Sequence, residues 1–243
     1  GRTCAGRTRA CDANANVASR TDWNGNRTNY TYDLARNLET SRTEGLTSAG
    51  AVTAATRTIE TAWHASYRLP AQVIEKNNSG AVLRTTAMSY DAAGNLLTRS
   101  VTASPSGNTR SWSYTYNASG LVLTVDGPRT DVADVTAYTY HASDDPDPGR
   151  RGNIATIANA LGHVTSIGAY NAHGQPLAVT DPNGLVTTLA YDARRRLTSR
   201  AVGGETTAYT YDGVGQMTRA TLPDGSFLDY TYDAAHRLTG ISD

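Results

Sequence analysis

The sequence predicts an all-β chain of consecutive antiparallel β-hairpins, about 21 residues each, arranged in a sheet one layer thick. Three observations carry this. A Tyr-Thr-Tyr tetrapeptide ending in Asp, Asn or His recurs along the chain, at Tyr30, Tyr114, Tyr138, Tyr209 and Tyr230. Thr (35) and Tyr (14) make up for scarce aliphatics, and β-branched and aromatic residues suit a pleated, half-wet surface. Leu, Ile, Val and Phe together make about 16% of the 243 residues, under the roughly 20% that accompanies a solid core. Low aliphatic content alone would suggest disorder, but disorder also expects high net charge, and here 22 basic and 22 acidic residues cancel. The chain is expected to fold, thinly.

Residues 1–20 read as a non-repetitive segment and 21–243 as an array of about nine copies. Looser copies join the complete ones, so the leading aromatics are Tyr32, Trp63, Tyr90, Tyr116, Tyr140, Tyr170, Tyr191, Tyr211 and Tyr232. Six residues later most copies carry an apolar residue: Leu38, Leu69, Leu96, Val122, Leu197, Met217 and Leu238. These two sets are the candidate packing residues between repeats. Between them a chain reversal is expected, because Gly94, Gly120, Gly174 and Gly215 fall four residues after the aromatic, where positive φ is needed. The Asp or Asn directly after the aromatic can accept a backbone N–H two residues on, which gives those aspartates a structural reading ahead of a catalytic one.

A second turn signal precedes each Tyr-Thr-Tyr strand, as in Asn24-Gly25, Pro182-Asn183-Gly184 and Pro223-Asp224-Gly225. Two turns per repeat mean two strands. Strand alternation then places Tyr209 and Tyr211 on one face and Thr210 on the other. One hairpin buries too few large side chains to offset the ordering of its residues, so stacking on neighbours is obligatory. Asp144 to Arg151 reads as a surface loop inserted into the copy that begins at Tyr140, with two prolines in DDPDPGRR. Both array ends would leave strand edges unpaired, so the sequence reads as a segment of a longer molecule.

Several function classes lack support. The balanced charge gives no basic footprint for nucleic acid, and no apolar run is long enough to span a bilayer as a helix. No G-x-S-x-G, H-E-x-x-H, Walker or G-x-G-x-x-G motif occurs, so no catalytic residues, cofactor or metal ligands are assigned. His64 and His141 replace the repeat's Asp, His236 replaces its turn glycine, and His173 precedes one. Asp144, Asp145 and Asp147 read as solvated loop charge, with calcium as the alternative. Cys4 and Cys11 read as free thiols, with a disulfide as the alternative.

The pattern Tyr-Asp-x-x-Gly-x-Leu, clearest in 191–198, 211–218 and 232–239, resembles the YD repeats of the Rhs family, found in bacterial Rhs polymorphic toxins, toxin-complex components, wall-associated proteins and teneurins. That resemblance implies a β-sheet wound spirally into a hollow shell that encloses a C-terminal toxin polypeptide before delivery. It also implies partners in the rest of the same chain, its toxin and secretion-apparatus components, and a secreted or cell-surface location. Asp181-Pro182-Asn183-Gly184 matches only half of the family's self-cleavage motif, so no protease residues are carried over. The competing reading is a carbohydrate-binding adhesion module, with tyrosine faces stacking on sugars beside Thr, Asn and Arg.

Overall fold

The computed structural model describes residues 9–243. Cys4 lies outside them. The chain divides into two compact units, one ending at Asp134 and one starting at Val135. The first holds β1 (Arg9–Cys11), β2 (Val17–Thr21), β3 (Arg27–Asp33), β4 (Leu38–Leu46), β5 (Arg57–Trp63), β6 (Pro70–Lys76), β7 (Val82–Tyr90), β8 (Leu96–Ala103), β9 (Thr109–Tyr116) and β10 (Val122–Asp126). The second holds β11 (Thr136–Tyr140), β12 (Ile154–Ala158), β13 (Val164–Tyr170), β14 (Pro176–Thr180), β15 (Val186–Tyr191), β16 (Leu197–Val202), β17 (Glu205–Tyr211), β18 (Met217–Thr221), β19 (Phe227–Tyr232) and β20 (Leu238–Ser242). No helix occurs among the described residues.

Within each unit, consecutive strands pair antiparallel, and strand-to-strand contacts run between consecutive strands alone. Among the described residues no strand packs on the sheet faces of a unit, so there is no second layer of strands and little core. Leu38, Leu46, Ile59, Tyr170 and Ala220 are the buried apolar residues, and no large side chain is fully buried among the described residues. A meander of this kind uses local contacts only, which is why so few aliphatics suffice.

The turns follow from their residues. At the hairpin tips the side chain after the aromatic accepts two backbone N–H groups. Asp91 Oδ1 takes those of Ala93 and Asn95 at 2.8 and 2.9 Å, and Asn117 Oδ1 takes those of Ser119 and Leu121 at 2.9 Å each. The connections between hairpins use the same device: Asp181 Oδ1 holds the N–H groups of Asn183 and Leu185, both at 2.9 Å. Asp12 closes the turn from β1 to β2 in the same way, holding Asn14 and Asn16. Pro70 and Pro176 each begin a strand, where the missing N–H matters least.

Each of the nine hairpins led by an aromatic carries a β-bulge at that residue. Tyr211 faces Met217 while Thr210 faces Arg219, leaving Thr218 as the extra residue; the same slip occurs at Tyr32, Trp63, Tyr90, Tyr116, Tyr140, Tyr170, Tyr191 and Tyr232. A bulge strengthens local twist and re-aims side chains. The Tyr-Thr-Tyr strands alternate as sequence periodicity requires, with both tyrosines half-buried and the threonine exposed. On the threonine face, hydroxyls pair across several hairpins, Thr115 with Thr124 and Thr139 with Thr156 at 2.6 Å each.

Cys11 is disulfide-bonded, against the expectation of free thiols. The composition rule behind that expectation weighs cellular compartment, not the spacing of two cysteines within one short segment.

Candidate functional site: the seam between repeats

The leading aromatics converge on one recurring arrangement. All stand at the end of the first strand of a hairpin, and most send a polar atom back to a backbone carbonyl of the preceding hairpin, at the start of that hairpin's second strand. The Tyr32 hydroxyl donates to Val17 O at 3.1 Å, Tyr90 to Pro70 O at 2.8 Å and Tyr116 to Leu96 O at 2.8 Å. In the second unit Tyr170 donates to Ile154 O, Tyr211 to Leu197 O and Tyr232 to Met217 O, at 2.7, 2.7 and 2.9 Å. Trp63 does the same through its indole Nε1, to Glu39 O at 2.7 Å. Tyr191 makes no such hydroxyl bond among the described residues.

The acceptors exist because the ladder between hairpins stops short. β16 and β17 are paired from Val202 with Glu205 to Ser199 with Ala208, so the Leu197 carbonyl lies beyond the last rung. A carbonyl without a ladder partner needs another donor, and the tyrosine hydroxyl supplies it. Burial pushes the phenols of Tyr32, Tyr90, Tyr116, Tyr140, Tyr170 and Tyr211 up. They remain protonated donors at any physiological pH.

A second set of links runs the other way, from one hairpin tip to the next. The side chain five residues after the aromatic donates forward: Gln175 to Arg195 O at 3.0 Å, Arg196 to Asp212 O at 3.1 Å and Gln216 to His236 O at 3.1 Å. Arg36 performs this role in the first unit by bonding His64 O and Tyr67 O, both at 2.8 Å. Tyr67, outside the repeat positions, donates to Ala92 O. The Arg196 guanidinium also lies 4.6 Å from the Tyr211 ring centroid, a favourable stacking distance. At the Asp91, Asp192 and Asp233 tips the carboxylate is held in its charged form. The Asn95 amide is foremost in holding the Asp91 carboxyl below its usual range. Asp192 is held low first by the backbone N–H of Arg196, and Asp233 by that of Arg237, each with help from the same residue's guanidinium.

Of the apolar set, Leu38 is buried, while Leu96, Val122, Leu197 and Met217 are partly exposed. Leu69 stands one residue ahead of β6 and bonds His64 N through its carbonyl at 2.8 Å. Leu238 is 51% exposed on β20. The tyrosine rings do not form a stacked row; the ring pairs among the described residues are His64 with Tyr67, His64 with Tyr90 and His141 with Tyr170. Sequence reasoning missed Val17 and Pro70, which hold the strand-start position in their hairpins. No side-chain signal marks them, since only the carbonyl serves.

His64, His141, Asp145 and Asp147 have structural partners. His64 Nδ1 accepts the N–H groups of Ser66 and Tyr67 at 3.2 Å each, and His141 Nε2 lies 2.8 Å from Ile167 O. In the loop from His141 to Asn153, Asp145 Oδ1 is held by the N–H of Asp147 and by the Arg150 guanidinium, and Asp147 Oδ1 takes the N–H of Gly149. Those oxygens serve the loop, and no group of three potential metal ligands occurs among the described residues.

The RHS Repeat family model matches residues 170–207 and 211–243, and the chain carries RHS repeats there. No curated protein matches the sequence. Among solved structures, the TcdB2-TccC3-TEV crystal structure is similar over 96% of this chain at 14% identity and a TM-score of 0.38, and TcdB2-TccC3 without its hypervariable C-terminal region over 96% at 15% and 0.38. The TcdB2-TccC3-Cdc42 structure is similar over 96% at 13% identity and a TM-score of 0.34. The chain spans 16 to 18% of the length of those chains.

Proposed function

We propose that this chain is a non-enzymatic wall segment of an Rhs-type β-shell, whose spirally wound sheet encloses a toxin polypeptide until delivery, in a protein secreted by or displayed on a bacterium. The carrying observation is the doubly linked seam. Most hairpins are tied back by an aromatic hydroxyl or indole, several are also tied forward by a tip side chain, and among the described residues no strand packs on either face within a unit. Such a sheet separates two spaces without needing a core, and its mechanism is steric. The RHS repeats at 170–207 and 211–243 support the same reading. The packing residues act in it as inter-repeat fasteners. A sugar-stacking platform would need accessible ring faces with free hydroxyls, whereas the leading rings are half-buried and most hydroxyls are engaged; this favours wall over adhesin.

Limited proteolysis of the uninterrupted gene product tests the proposal. The expected result is a polypeptide downstream of the repeats that resists protease in the native protein and is digested once mild denaturant opens the repeats. Digestion at equal rates before and after opening overturns it.

A further inference from the structure

The first unit contains a cavity of about 500 Å³ lined by residues of β2 to β5 and the loop between β4 and β5, among them Arg20, Thr28, Tyr30, Glu44, Gly45 and Arg57. The regular array has short connections, but here residues 47–56 form a longer loop that folds back against β4. Thr53 and Thr56 both donate to Gly45 O, at 2.6 and 2.9 Å, the Thr53 N–H bonds Thr56 Oγ1 at 2.7 Å, and Thr56 is buried. The wall is therefore fixed by its own hydrogen bonds.

The polar groups of the lining are unequally engaged. Glu44 is bound by Arg42 at 2.8 Å and Arg57 at 3.0 Å. Asp22 is held by the N–H groups of Asn24 and Asn26 and by the Asn26 side chain. Both carboxylates are thus occupied. On the donor side, Arg20 makes no side-chain hydrogen bond, Arg57 uses only Nε, and the hydroxyls of Thr28 and Tyr30 have no partner among the described residues. Strand pairing puts Arg20 opposite Thr28 and Tyr30 opposite Arg42, all on the tyrosine face.

We infer that this cavity binds a small hydroxylated carboxylate of sugar-acid size, its carboxylate on Arg20 and Arg57 and its hydroxyls on Thr28 and Tyr30. Guanidinium groups match a carboxylate geometrically and keep their charge at all working pH values. The volume lies within the range of small-molecule sites. This inference concerns one unit and does not depend on the wall reading.

Isothermal titration of the chain with sodium glucuronate tests it, with glucose and acetate as comparisons. Saturable glucuronate binding about tenfold or more tighter than either comparison is expected, and Arg20→Gln should weaken it by about tenfold. Because Arg20 is exposed, that variant should keep its melting temperature; Tyr30→Phe offers a second loss without charge change. Glucuronate binding no tighter than glucose or acetate, or unaltered binding by Arg20→Gln, overturns the inference.

Discussion

The Tyr211 hydroxyl donates to the Leu197 carbonyl at 2.7 Å, joining the end of β17 to the first residue of β16 in the preceding hairpin. The two strands are laddered only from Val202 with Glu205 to Ser199 with Ala208. One side-chain bond thus carries the contact between hairpins beyond the reach of the backbone ladder, at the rung where the register of β17 with β18 slips. The same relation ties Tyr232 to Met217 and Tyr116 to Leu96.

Tyr211→Phe removes that donor and keeps the ring. A lost neutral hydrogen bond of this kind costs about 0.5–1.5 kcal/mol, so the melting temperature should fall by a few degrees. Tyr191→Phe, at the copy whose hydroxyl bonds nothing among the described residues, should be near neutral. Hydrogen exchange at the neighbouring strands localises the effect. Equal effects of the two substitutions in calorimetry would show that the ring alone matters.

Arg195 sits at the hairpin-tip position that Gly94, Gly120, Gly174 and Gly215 hold in other copies, with φ of 66°. A side chain there costs about 1 kcal/mol relative to glycine. The Arg195 side chain makes no hydrogen bond, and the link from Gln175 uses only its carbonyl. Arg195→Gly should therefore raise stability by up to about 1 kcal/mol, offset in part by the freer unfolded chain. Denaturant unfolding of the pair of proteins reads the sign directly.

The hairpins and their tips were legible because their causes are local. A tyrosine followed by Asp and, three residues later, glycine names both a strand end and the turn that follows, and Asp91, Asp212 and Asp233 take the N–H groups the pattern requires. The stretch 12–16 hides the same turn because Ala15, at φ 64°, stands in the glycine's place. The seam itself was not legible. Its acceptors are backbone carbonyls at Val17, Pro70 or Ile154, which carry no common side chain, and the bulge that aims each donor depends on register between strands. The cavity beside Gly45 was hidden for a related reason: it is formed by a loop that departs from the repeat.

Acid should loosen the hairpin tips in a defined order of copies. The Asp91, Asp192 and Asp233 carboxyls are held below their usual range by, first in each case, the Asn95 amide, the Arg196 N–H and the Arg237 N–H. A depressed folded value means stability that is fully present above the unfolded carboxylate value of about 3.9 and lost as pH falls from there toward the folded value. Tips closed by Asn117 and Asn171 accept the same N–H groups without titrating. Hydrogen exchange between pH 5 and pH 2.5 should show protection falling at the aspartate tips and holding at the asparagine tips. Asp192→Asn should remove the pH dependence at its own tip.

Gly45 marks where the first unit departs from the repeat, and its backbone tests whether that departure is rigid. Its φ is +71°, and a Cβ built there would lie 2.6 Å from the Ala55 carbonyl oxygen. Two independent costs follow for Gly45→Ala: a left-handed backbone, at about 1–2 kcal/mol, and a steric clash with main chain that must move. Because Thr53 and Thr56 both bond Gly45 O, any movement there should release the 47–56 loop. The expected outcome is a loss of more than about 2 kcal/mol, accompanied by faster proteolysis within 47–56. Gly25, which has open space around its Cβ direction, carries only the conformational cost, so Gly25→Ala should lose about half as much and leave that loop intact. If both variants unfold alike and neither exposes the loop, the hydrogen-bonded wall is not rigid in solution.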